Sequence, residues 1–386
     1  MNTVVKAGAL LTPSGFVSNG LVAIAGDTIA GLQQPVAGST VIDLSEYRVL
    51  PGLIDMHIHG AKGSDVMDGT PQAIATMSQW LARTGVTSFL GATVTADMAR
   101  TRAALENIAR CCRAELPGAR LLGAYLEGPY IGVEHRGAHH QDYIRPARWE
   151  EIESLLAAGQ GSVKVVALAP ERAGAVVEKL TGRGIKVAMG HTNATYAEAM
   201  AAIEQGASIA VHIFNGMRGL HHREPGIVGA ALTSPKVFAE LIADGVHVAP
   251  AVMDIVKRCK GAGGVVLVSD CIRAGGLSDG EYTLGELDVT VTGGIARVKG
   301  SDSLAGSTLR LLDGVKNMVE MTGTALADAV AMASLNAARA LGVDSWLGSI
   351  EAGKKADLIA VDDEYNVVFT MVGGKIVFDS RGGGAG

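Results

Sequence analysis

Two of the ten histidines in this chain of 386 residues, His57 and His59, stand one residue apart at the end of the run Pro51-Gly52-Leu53-Ile54-Asp55-Met56-His57-Ile58-His59-Gly60. The run reads as a short apolar strand. Side chains along a strand repeat with a period of two, so both imidazoles leave it on one face. A pair so placed suits a divalent ion of the zinc type. Other metal-competent residues follow similar runs. Glu127 closes Leu121-Leu122-Gly123-Ala124-Tyr125-Leu126, His191 follows Val187-Ala188-Met189-Gly190, and His212 ends residues 207–211. One carboxylate and two histidines from three strands form a three-ligand set with a position left for water, which is the catalytic rather than the structural arrangement. Asp270 ends Val265-Val266-Leu267-Val268-Ser269. A charge buried there needs a partner, and an aspartate beside a metal-activated water can take its proton as general base. Taken singly, each of these residues also fits a plainer role, as a helix cap or a packed histidine. Their recurrence where strands stop is the stronger signal.

The elements that must position them alternate. Strand-like apolar runs fall at residues 53–57, 87–90, 121–126, 163–168, 185–189, 208–212, 239–243 and 265–269. Helical patterns lie between most of them, among them 71–83 and 196–204, and a further one, 325–341, follows the last. Eight such units predict a (β/α)8 TIM-type barrel of the α/β class, whose chemistry sits at the C-terminal ends of the strands. A hairpin is expected over 286–298, turning at Gly293-Gly294. The two ends of the chain differ from this middle. Short strands separated by turn signals are expected at 4–11, 20–25, 28–32 and 40–44, and again at 357–361, 367–371 and 375–378. The organisation expected is a small β-sandwich domain built from 1–50 plus 350–386, with a frayed tail at 382–386, and a barrel over 51–349.

Bulk composition narrows the function. With 48% hydrophobic residues the chain can bury a large core, and its net charge of −6 argues against a general nucleic-acid binder. Four cysteines without a Cys-x-x-Cys pair are too few for a disulfide framework, so a reducing, cytoplasmic setting is expected. No stretch of about 18 uncharged apolar residues reads as a membrane span, and no signal-peptide pattern opens the sequence.

The combination of His57-x-His59, Glu127, His191, His212 and Asp270 resembles the amidohydrolase superfamily, as do Pro51-Gly52-Leu53-Ile54-Asp55 and the stretch from Gly348 to Leu358. More narrowly, the chain is similar to the N-acetylglucosamine-6-phosphate deacetylases. The similarity runs through Glu127-Gly128-Pro129, Arg136-Gly137-Ala138-His139, Gly190-His191-Thr192-Asn193-Ala194, His212-Ile213-Phe214-Asn215-Gly216-Met217, Arg223-Glu224-Pro225-Gly226, Ala243-Asp244-Gly245-Val246-His247, Ser269-Asp270 and Leu304-Ala305-Gly306-Ser307. It covers essentially the whole chain. The resemblance implies a metal-dependent hydrolysis of the N-acetyl amide of N-acetylglucosamine 6-phosphate. Glu127, His191 and His212 would hold the principal ion, zinc with iron as the alternative. His57 and His59 would hold a second, bridged by Glu127, giving one or two ions per subunit. Asp270 would act as base, and His139 would contact the sugar or the acetyl carbonyl. Asn215, the backbone at Gly216, His247 and Arg223 would grip the phosphate, Arg223 reaching across from the neighbouring subunit of a homodimer.

Some features depart from the pattern. Gly216 stands where a slightly larger residue is common, Cys271-Ile272-Arg273 follows the base, and Arg218-Gly219-Leu220-His221-His222 alters the loop before Arg223. The altered loop keeps the galacto isomer, N-acetylgalactosamine 6-phosphate, open as a substrate. Another amidohydrolase activity, or a non-catalytic scaffold on the same barrel, are the remaining alternatives. Lys164, on the fourth strand, reads as structural because Glu127 already supplies a bridging charge.

Overall fold

The eight apolar runs of the middle become eight parallel strands, in a computed structural model that describes residues 2–34 and 38–381. The tail at 382–386 lies outside the described residues. The strands are Leu53–Ile58, Val86–Ala92, Arg120–Glu127, Val163–Leu168, Lys186–Met189, Ile209–Ala210, Phe238–Leu241 and Val265–Leu267, each paired with the next in chain order. Both faces of these strands are apolar, as expected when helices cover the outside and side chains fill the inside. Met56, Tyr125, Val165, Ile209 and Val266 share the inner cluster. Leu53, Phe89, Leu126, Val166 and Leu267 join the outer one, against the helices. The first and last strands close the ring just beyond their ends. There the Asp270 N–H donates to the His57 carbonyl at 2.9 Å, and the Ser269 N–H to the buried Asp55 carboxylate at 3.3 Å.

Helix starts follow local chemistry. Pro71–Arg83 begins with Thr70, whose hydroxyl accepts the Ala73 N–H at 3.2 Å, and Pro71 occupies the first turn, where no N–H is required. Tyr196–Glu204 carries a reciprocal cap between Thr195 and Glu198. The expected long helix over 325–341 is instead two, Leu326–Met332 and Leu335–Leu341. The buried Ser334 hydroxyl bonds the Val330 carbonyl at 2.7 Å, and the Ala333 carbonyl leaves the helix to accept the Ile54 N–H at 2.8 Å. The first barrel strand is thereby anchored to the helical layer. The sixth strand is shorter than 208–212 because the chain turns at His212 (φ +24°) and the Ile213 N–H donates to the Glu240 carbonyl. The hairpin gains a third strand, the sheet being Gly280–Leu284, Leu287–Thr292 and Ile295–Val298.

Both ends of the chain meet in one further sheet. Its order is Lys375–Asp379, Val367–Val372, Leu358–Val361, Thr40–Pro51, Asn2–Thr12, Leu21–Ala25 and Thr28–Leu32, with Gly15–Ser18 on Asn2–Thr12. Thr40–Pro51 lies between the two ends, parallel to Asn2–Thr12 and antiparallel to Leu358–Val361. Val22 and Ile24 from one half share an apolar cluster with Phe369 and Met371 from the other. Only Gly52 separates this sheet from the first barrel strand. A Cβ there would stand 2.2 Å from Thr87 Oγ1, so the close approach needs glycine. Arg120 locks the two parts together with paired bonds to Asp357 at 2.7 and 3.2 Å. Among the described residues no helix is long and apolar enough to cross a membrane.

Candidate active site

Strand ends deliver the polar side chains to one mouth. His57 and His59 leave the first strand, Glu127 the third, His191 follows the fifth, His212 the sixth and Asp270 the eighth. All six are buried. His191, His212 and Asp270 hold left-handed backbone angles, with φ of +47°, +24° and +50°. Such angles are costly for residues with a Cβ and gather where a site must be held in one geometry.

Glu127 is the hub. Its Oε1 stands 3.1 Å from His191 Nε2 and 3.2 Å from His212 Nε2, and those nitrogens are 3.1 Å apart. Its Oε2 stands 3.2 Å from His59 Nε2 and 3.4 Å from His57 Nε2. Asp270 Oδ1 approaches the same pair, at 3.2 and 3.7 Å. Each oxygen of one carboxylate thus faces one pair of imidazoles.

The opposite ring nitrogens decide what these contacts are. His191 Nδ1 lies 2.9 Å from the His135 carbonyl and His212 Nδ1 lies 3.1 Å from the Asn215 carbonyl. A carbonyl can only accept, so each Nδ1 carries the proton and each Nε2 presents a lone pair in the neutral ring. Three lone-pair atoms, two nitrogens and Glu127 Oε1, therefore converge within 3.2 Å in a buried site. Only positive charge between them reconciles that arrangement. Ligand atoms on a tetrahedron of zinc-like radius stand about 3.3–3.4 Å apart, so the donor set fits a divalent ion. Burial alone would raise the Glu127 carboxyl, but positive charge at His57 and the Nε2–H of His139 hold it well below the usual carboxylate range. Asp270 behaves alike: burial opposes ionisation, but the hydrogen bond from His59 and the charges of His57 and His59 bring it to about 2.

His139 belongs to the cluster but differs in kind. Its ligand-capable nitrogens fall in one group with Glu127 and His191, while His57, His59 and Asp270 form another. Yet its Nδ1 accepts the Thr95 backbone N–H at 3.2 Å. That donor fixes the remaining proton on Nε2, which points into the site 3.6 Å from Glu127 Oε2. Burial takes the ring down to about 4, so it is neutral at pH 7. A neutral Nε2–H is a hydrogen-bond donor, not a metal ligand, and His212 is the better third partner for Glu127 Oε1.

A cavity of about 200 Å³ opens over these groups, lined also by Asn215, Gly216, His247 and Leu304. His247 is held by Asp244 at 2.6 Å. Gly216 has φ +59°, and a Cβ on it would meet His191 Nδ1 at 2.8 Å. Arg223 does not line this cavity; it is exposed, with its guanidinium 2.7 Å from His222 Nε2. Lys164 points outward and bonds the Gly161 carbonyl, in keeping with a structural role. Cys271 is packed in the core, and burial pushes its thiol well up. Several participants carry no mark in the sequence reading. Thr95 orients His139, Thr93 Oγ1 accepts the Glu127 N–H at 3.1 Å, His135 orients His191, and Glu240 bonds His57. The signal available was the pair Thr93-x-Thr95 after an apolar strand, and one acid inside the run Phe238-Ala239-Glu240-Leu241.

A parallel barrel whose C-terminal mouth gathers histidines around a shared carboxylate, with an aspartate beside them, is built as a metal-dependent hydrolase. The sequence model of the amidohydrolase family matches residues 48–377. The chain belongs to the amidohydrolase family. It is 45% identical to the N-acetylglucosamine-6-phosphate deacetylase of Vibrio furnissii over 88% of this chain and 85% of that one. It is 42% identical to the N-acetylgalactosamine-6-phosphate deacetylase of Escherichia coli O157:H7 over 97% and 99%. Among solved structures, a mutant N-acetyl-D-glucosamine-6-phosphate deacetylase of Mycobacterium smegmatis in complex with N-acetyl-D-glucosamine-6-phosphate is similar with a TM-score of 0.92 and 34% identity, covering 98% of this chain and 99% of that one.

Proposed function

We propose that the chain hydrolyses the N-acetyl amide of N-acetylglucosamine 6-phosphate to glucosamine 6-phosphate and acetate. The observation that carries this reading is Glu127, each oxygen of which faces a histidine pair, with Asp270 beside the second pair. The Vibrio and Mycobacterium relatives support the gluco sugar. Glu127, His191 and His212 would hold the principal ion, zinc or alternatively iron, and His57 and His59 a second. When bound, a divalent ion supplies Lewis acidity, drawing charge from the amide carbonyl and lowering the pKa of water toward 7.

The chain's own residues do the rest. Ionised Asp270 takes the proton of the attacking water and returns it to the departing amine. The Nε2–H of neutral His139 donates to the carbonyl oxygen as charge develops on it. Leu304 and Gly306 wall the cavity over the reacting groups. Asn215, the Gly216 backbone and His247 receive the phosphate, and Arg223 completes that grip from a partner subunit of a homodimer, which accounts for its exposure here. The reading carries a β-sandwich domain of 1–50 plus 350–386, a barrel domain of 51–349, and a cytoplasmic setting, supported by four free cysteines.

Acetate release from the gluco and galacto 6-phosphates, measured on enzyme of known metal content, tests it. Faster turnover of the gluco sugar is expected. Faster turnover of the galacto sugar would move the chain toward the Escherichia relative's activity, and no acetate from either by metal-loaded enzyme would refute the deacetylase reading.

A further inference from the structure

The seventh barrel strand carries an acid that the reaction above does not use. Glu240 alternates with Ala239 and Leu241, which belong to the outer apolar layer, so its side chain enters the barrel interior. It is fully buried. A carboxylate there is costly unless a partner compensates it, and the ion-pair partner found among the described residues is His57. Glu240 Oε2 stands 3.1 Å from His57 Nδ1, and the same oxygen accepts the backbone N–H of His212 at 3.2 Å. Tyr125 stacks on the His57 ring at 4.3 Å between centroids.

This contact differs from those of the other imidazoles. His191 and His212 rest their Nδ1 atoms on neutral carbonyls, while His57 rests on a charge. A carboxylate behind a ring fixes the Nδ1–H tautomer and raises the basicity of the opposite nitrogen more than a carbonyl does. Once an ion displaces its proton, His57 Nε2, otherwise without a hydrogen-bond partner, presents its lone pair on the side of Glu127 Oε2. Meanwhile the grip on the His212 N–H supports that residue's left-handed turn. One buried acid thereby touches both halves of the centre.

We propose that Glu240 is a positioning residue for the second ion: it holds His57 as an electron-rich Nε2 donor, and its charge is what makes the His57/His59 half-site competent. The inference rests on the two-ion reading of the centre. Its strength should fall mainly on that half, because Glu127, His191 and His212 keep their own supports.

The test is a metal titration of the full-length protein, with ion content by mass spectrometry and affinities by competition with a chelator of known strength. Wild type is expected to hold two ions. Glu240→Gln keeps shape and an acceptor oxygen but removes the charge. It should weaken the second ion by about 10–100-fold and leave the first within about threefold. Manganese loading gives a spectroscopic readout: the exchange-coupled pair signal of wild type should give way to that of an isolated ion. Glu240→Asp keeps the buried charge but shortens its reach by one methylene, and it too should lose mainly the second ion, so the question stays open to refutation if Glu240→Gln does not fold. Two ions bound at wild-type strength by the variants would overturn the proposal. Equal weakening of both ions would also overturn it, marking Glu240 as a general structural support. A single ion in wild type would instead refute the two-ion reading, and this inference with it.

Discussion

Stripping the ions should lower the melting temperature, and more at about pH 8 than at about pH 6. The reason lies in the lone pairs of His191 Nε2, His212 Nε2 and Glu127 Oε1, which converge within 3.2 Å. An ion present at a thousandfold over its dissociation constant adds about 4.1 kcal/mol. At about 2.1 cal/mol/K per residue, a chain of 386 residues unfolds with an entropy of roughly 0.8 kcal/mol/K. The ratio predicts a drop of about 5 °C on chelation. Protons compete with the ion for the same atoms. Burial opposes a charge on His59, but Asp270 and Glu127 outweigh it and raise the metal-free ring to about 9. A raised histidine stabilises the folded state fully below its unfolded pKa of about 6.5, and that contribution is lost as pH rises through about 9. The metal-free protein therefore weakens from pH 6 toward pH 8 while the ion binds better, and the gap widens. Differential scanning calorimetry of loaded and chelated protein, with metal content measured on both, reads it. A gap under about 1 °C at pH 8, or one that widens toward pH 6, would refute the reasoning. Glu127→Gln should lose most of its bound metal and nearly all of the gap.

Four further outcomes follow from particular contacts. Asp270→Asn should keep its fold and its ions while kcat falls by roughly 10² or more, and a near-normal kcat would remove Asp270 as the base. Arg223→Ala should lower kcat/KM for the phosphorylated sugar by about 1.5–3 kcal/mol and barely change the poorer use of the sugar without phosphate; equal fractional losses would dissociate Arg223 from phosphate. Mixing Arg223→Ala with Asp270→Asn subunits should restore activity if the site is shared between subunits, and failure despite proven exchange would count against it. Asp357→Ala leaves the part-buried Arg120 guanidinium without its carboxylate and should cost about 2 kcal/mol, discounted for the solvent that reaches Arg120, read as a melting temperature lower by about 2–3 °C.

The parts of this molecule that were legible in its sequence share a cause. The strand 163–168 and the helices 71–83 and 196–204 fall where expected because period, caps and turn residues are local properties. His57 and His59 share a face for the same reason. Tertiary demands explain the rest. The helix expected over 325–341 breaks because the first barrel strand needs the Ala333 carbonyl, and Ile54, which takes it, stands near the other end of the chain. The turn at His212 was hidden too, since its left-handed angle is sustained by the Glu240 carboxylate and the Ile213-to-Glu240 backbone bond, both from the neighbouring strand.

Glu240 carries a mark of its own in the sequence. A lone acid in Phe238-Ala239-Glu240-Leu241-Ile242 cannot sit in a buried strand without a partner. The same rule had already singled out Asp270. What differs is position: Asp270 stands after its strand, where a barrel keeps its chemistry, and Glu240 stands within one, where a barrel keeps its packing. The structure resolves that difference by bringing the two layers into contact, since the acid of the packing layer ends on the ring of a candidate ligand. In such a barrel, an ionisable residue one step of the pleat below the mouth is best paired first with the strand-end histidines above it. Here that pairing is what separates His57, backed by a charge, from His191 and His212, backed by carbonyls, and it makes the two halves of one centre chemically unequal.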